Sequence, residues 1–141
     1  MIALGAGQLA AIEGAAAAAF PSECCGLLVG RDGTGGGVEV TRIVASPNLA
    51  EAPARRFEID PQLWFDSGKA LHGGCERIVG LYHSHPGGDA APSRTDRDSA
   101  WEPDQVWLIT AVAEGQAIET RAFLFEDMER GFREIRLVVG A

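Results

Sequence analysis

Residues 78–96 read Ile-Val-Gly-Leu-Tyr-His-Ser-His-Pro-Gly-Gly-Asp-Ala-Ala-Pro-Ser-Arg-Thr-Asp, and the chain turns apolar again at Val106 to Val112. Ile78 to Tyr82 and Val106 to Val112 are nearly continuous apolar runs of strand length. That is the pattern of central strands covered on both faces. The polar segment between them, Ser93 to Trp101, is compatible with a helix that ends before Pro103. Together with the segments described below, this predicts an α/β fold with a mixed sheet flanked by helices.

Moving towards the N-terminus, Asp60 followed by Pro61 is an N-cap and first-turn pair, and Gly73-Gly74 supplies a stop, so a helix is expected over residues 61–72. Trp64 and Leu71 would share its buried face. Cys24 to Val29 is a short apolar run ending at Gly30, and glycines 33 to 37 separate it from the alternating segment Val38 to Val44, as in a hairpin. These glycines read as turn residues, since a phosphate loop would need a Gly-Lys-Ser/Thr ending. Leu9, Ile12, Ala16 and Phe20 recur at helical spacing and describe a first helix closed by Pro21. Towards the C-terminus, Ala117 to Phe125 and Phe132 to Val139 alternate as two strands, and Glu126-Asp127 begins their connection. Ser46 to Arg56 is the longest irregular stretch before the second helix.

The bulk properties set limits. With 141 residues, 46% hydrophobic and 23% charged, the chain is expected to form one globular domain over residues 1–141. A net charge of -8 leaves no broad basic surface for phosphates, which argues against nucleic acid as a partner. The apolar first twenty residues are interrupted by Gly5, Gly7, Gln8, Glu13 and Gly14 and lack a basic flank, which argues against a signal peptide or membrane span. Cys24, Cys25 and Cys75 are odd in number, and neighbours seldom bridge, so reduced thiols and a cytoplasmic location are expected.

Chemistry concentrates in residues 83–96. Side chains two apart on a strand point the same way, so His83 and His85 project together while Ser84 faces the other side. Pro86 ends the strand, and Asp96 can return a carboxylate oxygen from the first turn of the following helix. Three protein ligands rather than four are the pattern of a catalytic zinc, whose open position holds a water with its pKa lowered to about 7. Such a site needs a carboxylate to move protons, and Glu23 is the candidate. Simpler readings compete: Ser93-x-x-Asp96 is also a capping box, and both roles can coexist. Asp89 and Asp98 are rival third ligands; His72, near a helix end, receives no chemistry, and Trp64, Trp101 and Trp107 read as packing residues.

The set resembles the JAMM (MPN+ or JAB) metalloprotease family, in which a distant upstream Glu is followed by His-x-His-Pro, six residues, then Ser-x-x-Asp. Here His83-Ser84-His85-Pro86, six residues and Ser93-Arg94-Thr95-Asp96 match without a gap, and Glu23 stands immediately before Cys-Cys-Gly-Leu-Leu. Asp98 falls two residues too late for this spacing. The resemblance implies a JAB/MPN (cytidine-deaminase-like) architecture with a curved sheet and one Zn2+ per chain on His83, His85 and Asp96. It also implies Glu23 as general base and then acid, and Ser93 as a donor to the oxyanion of amide hydrolysis.

Compact bacterial members of that family resemble the chain most. They imply a substrate: a ubiquitin-fold sulfur-carrier protein cut near its Gly-Gly C-terminus. Isopeptide cleavage of a ubiquitin-like modifier from lysine is the second expectation, and a non-catalytic scaffold, which normally loses metal ligands, the third. A monomer and a homodimer are both compatible with the sequence.

Overall fold

The computed structural model describes residues 1–140. In chain order the elements are β1 (Ile2–Gly5), α1 (Ala6–Ala19), β2 (Cys25–Asp32), β3 (Val38–Ser46), α2 (Pro61–Leu71), β4 (Arg77–Pro86), α3 (Arg94–Ser99), β5 (Gln105–Ala113), β6 (Gln116–Asp127), β7 (Gly131–Ile135) and β8 (Leu137–Gly140). The strands form one mixed sheet in the order β7-β6-β5-β4-β2-β3-β1-β8. As the apolar runs require, β4 and β5 lie together near its centre, and they run parallel.

Chain connectivity shows how far this sheet curls. The outermost strands β7 and β8 are separated in sequence only by Arg136. Were the sheet flat, its edges would stand about 34 Å apart, whereas two successive peptide links reach about 7 Å. The sheet must therefore curve until its two ends approach each other.

That curvature divides the core in two. On one face, α1 buries Ala16 and adds Ile12 to a cluster with Leu28, Tyr82 and Leu108. On the other, α2 and the segment after α3 cover Leu27, Leu81, Trp107 and Phe125. In the parallel pair β4/β5, a Cβ at Gly80 would collide with the Val106 carbonyl oxygen. Only glycine fits that position in this geometry.

Several expectations need correction. Ile2–Gly5 is a strand, although four residues leading directly into a helix carry no separate periodic signal. Phe20 leaves the buried stripe of the first helix and is 40% exposed, because α1 has already ended at Ala19. The helix at 61–72 forms with Asp60 Oδ1 accepting from the Gln62 amide at 2.9 Å, yet none of its residues is fully buried; Trp64 and Leu71 are half-buried. Trp101 is not a core packing residue and is 73% exposed. Phe132 to Val139 is two strands rather than one, because after Ile135 the chain leaves β6 and pairs in parallel with β1. Among the described residues, no helix is long and apolar enough to cross a membrane.

Candidate functional site

The histidine pair is placed by β4 itself. His83 and His85 point from the strand to the face that carries Leu81 and Trp107. Ser84, on the opposite side, accepts from the Cys24 amide through Oγ at 2.8 Å, while its own amide donates to the Cys24 carbonyl at 3.2 Å. These bonds fasten the start of β2 to β4, with Cys25 opposite His83 in the antiparallel register. Glu23 is thereby brought beside His83 from 60 residues away: its Oε1 lies 3.4 Å from His83 Nδ1.

Asp96 arrives through the capping of α3. Ser93 Oγ accepts from the Asp96 amide at 3.0 Å, and Asp96 Oδ2 accepts from the Ser93 amide at 2.9 Å. The same Oδ2 lies 3.0 Å from His85 Nε2 and 3.4 Å from His83 Nε2. The capping box thus aims the carboxylate at both imidazoles, so its capping role and its position at the cluster coexist. His85 is oriented from behind, its Nδ1 lying 2.9 Å from the Asp89 carbonyl oxygen, which fixes the Nε2-facing tautomer. Asp89 enters the site through its backbone; its side chain, like that of Asp98, is exposed.

Three of the polar residues are almost without water: His83 is 0%, Asp96 4% and Glu23 6% exposed. Phe57 stacks on His83 at 4.2 Å between ring centres, and Trp107 meets it edge-on at 5.6 Å. Burial pulls the His83 imidazole down, but Asp96 and Glu23 more than offset this and raise it to about 9. Burial likewise pushes the Asp96 carboxyl up, but the two histidines outweigh it and hold the group well below the usual carboxylate range. Cys24, next to Glu23, is no ready nucleophile, since burial raises its thiol above the ordinary value.

The donor set fits a metal ion. Among the described residues, His83 Nε2 and Glu23 Oε1 are buried without a well-formed hydrogen bond, their polar neighbours Asp96 Oδ2 and His83 Nδ1 standing off at 3.4 Å, which leaves room for something to complete them. Ligands around a tetrahedral ion with bonds near 2.05 Å stand about 3.3 Å apart, close to the 3.0 and 3.4 Å separations at Asp96 Oδ2. A second trio, Glu23, His83 and His85, has ligand atoms that all lie within 4.8 Å of one another. The histidine pair is common to both sets.

Two contributors had no sequence signal. Phe57 sits in an aperiodic loop and acts only by landing on His83. Asn48 knits that loop: its Nδ2 donates to the carbonyls of Glu23 and Arg56 at 3.0 Å each, and its Oδ1 accepts from the Ala50 and Glu58 amides at 3.0 Å each. Replacing Asn48 with Ala is expected to cost about 2–3 kcal/mol, from several net bonds of roughly 1 kcal/mol. Chemical denaturation of the variant measures this directly; a loss under about 0.5 kcal/mol would contradict the bracing role.

Comparison with known proteins agrees with this architecture. The chain is 39% identical over 89 residues to a desampylase of Haloferax volcanii, covering 63% of this chain and 62% of that one. It is 29% identical over 107 residues to the CysO-cysteine peptidase of Mycobacterium tuberculosis, covering 76% and 70%. It therefore spans less than two thirds of the first relative's length. A Desulfitobacterium hafniense protein known from its solution structure superposes with a TM-score of 0.84 at 29% identity, covering 99% of this chain and 93% of that one. The family model described as prokaryotic homologs of the JAB domain matches residues 6–125, and the chain belongs to that family.

Proposed function

We propose that the protein is a zinc metallopeptidase that hydrolyses an amide bond next to the Gly-Gly C-terminus of a ubiquitin-fold carrier protein. The observation that carries this reading is the convergence of His83, His85 and Asp96 within 3.4 Å at Asp96 Oδ2, with the buried Glu23 carboxylate alongside. His83, His85 and Asp96 would hold the ion. When bound, zinc polarises the scissile carbonyl and makes a water acidic enough to attack near neutral pH. Glu23 would take the proton of the attacking water and pass it to the leaving amine. Phe57 and Trp107 exclude solvent around His83, which strengthens the electrostatics of the site.

Ser93 has a hydroxyl suited to the developing oxyanion. Its oxygen is occupied as an acceptor from the Asp96 amide, so its proton is available to donate. Ser93→Ala should lower turnover about a hundredfold while metal content stays full; loss of the cap should cost about 1 kcal/mol. Unchanged turnover would remove Ser93 from the mechanism.

Metal affinity should depend on pH. In the metal-free chain the His83 imidazole sits at about 9, so a proton must leave before Nε2 can ligate. Competition against a chromophoric chelator should show zinc affinity rising up to about tenfold per pH unit below that value and levelling above it. A pH-independent affinity across neutral pH would mean that His83 is not displacing a proton.

The substrate class rests on similarity to a desampylase and a CysO-cysteine peptidase. The test is mass spectrometry of a ubiquitin-fold carrier ending in Gly-Gly plus a short extension, incubated with zinc-loaded protein. Cleavage after Gly-Gly supports the reading. If the extension survives while a carrier joined through a lysine isopeptide bond is cut, the chain is an isopeptidase.

A further inference from the structure

Beside the metal cluster opens a cleft of about 500 Å³ that none of the steps above uses. Ile59, Leu81 and Ala100 contribute its apolar floor, Trp64, Trp101 and Trp107 its walls, and Glu58 and Glu102 its charge. No Lys, Arg or His lines it; Arg55 and Arg56 line the neighbouring cleft instead. Phe57 and Trp107 line the cleft and also pack against His83, so whatever fills it lies next to the reacting centre.

We propose that this cleft seats a lysine or arginine side chain of the polypeptide being cleaved. Each part of such a side chain has a counterpart here. The hydrocarbon stem packs on Ile59, Leu81 and Ala100, as long basic side chains do on apolar surfaces. The cationic head lies against indole faces, the best aromatic surface for a cation. Glu58 and Glu102 complement the charge. A purely aliphatic occupant would leave both carboxylates unused, whereas a bare metal ion would gain nothing from the floor. Trp101, 73% exposed in the free protein, gains cover when the cleft fills. The assignment rests on the peptidase reading only for the identity of the chain that carries the side chain.

The three tryptophans of the sequence all line this cleft, so indole fluorescence reports on its occupancy. The experiment is a fluorescence titration of the whole protein with the N-acetyl methylamides of arginine, lysine and norleucine. None of these carries a Gly-Gly tail, so binding is read without cleavage and a failure of the carrier-tail reading leaves the outcome intact. Saturable binding is expected, about tenfold tighter for the two cations than for norleucine. Trp101→Ala and Glu102→Gln should each weaken cation binding about threefold to fivefold, and Glu102→Gln should leave norleucine binding nearly unchanged. Equal affinity for norleucine would overturn the proposal in favour of an apolar subsite. No saturable response, or unchanged cation binding in Trp101→Ala, would overturn it outright.

Discussion

Glu23→Gln is expected to lower the cleavage rate by about a hundredfold to ten-thousandfold, the range carried by a positioned general acid or base. The substitution keeps the shape of the side chain and removes its basicity. Nothing else at this position should change much, because the backbone of Glu23 is held independently: its amide donates to the Pro53 carbonyl at 2.7 Å, and its carbonyl accepts from Asn48. The variant should therefore fold and retain one zinc per chain. Single-turnover rates at matched metal content make the comparison. A fully metallated variant cleaving within about tenfold of the parent would assign the proton transfer to another group.

Asp96→Ala should empty the metal site and destabilise the metal-free protein by about 3–5 kcal/mol, the cost of breaking a buried ionic cluster from one side. One oxygen, Oδ2, serves the Ser93 amide at 2.9 Å and both histidines at 3.0 and 3.4 Å, so its removal strands three partners. Asp96→Asn separates the functions: it keeps an acceptor for the Ser93 cap and removes the charge, so the fold should suffer less while zinc is still lost. Elemental analysis and denaturation of both variants provide the readings. If either binds zinc with parental affinity, the ligand set is Glu23, His83 and His85 instead.

The pH dependence follows with opposite signs for the two partners. The lowered Asp96 value stabilises the metal-free fold above about 3.8, and this is lost as pH falls. The raised His83 value stabilises it below about 6.5, and this is lost as pH rises through about 9. Asp96→Ala should flatten both limbs of the stability profile.

The sequence alone determined what depends on neighbours along the chain. His83 and His85 share a side because strand side chains alternate, and Asp96 follows Ser93 into a capping box because three residues make the first turn of a helix. The central strands, the hairpin and the capped second helix were legible for the same reason: each carries its periodicity or punctuation within about a dozen residues. Tertiary structure decided what depends on register and closure. Glu23 reaches His83 only because β2 pairs with β4 so that Cys25 faces His83; a slip of one residue would turn its side chain to the other face. Phe57 and Asn48 act from a loop without periodicity, and their partners lie across space. The division of the last strand at Arg136 follows from the curl of the whole sheet, which brings its two edges close enough for one residue to pass between them.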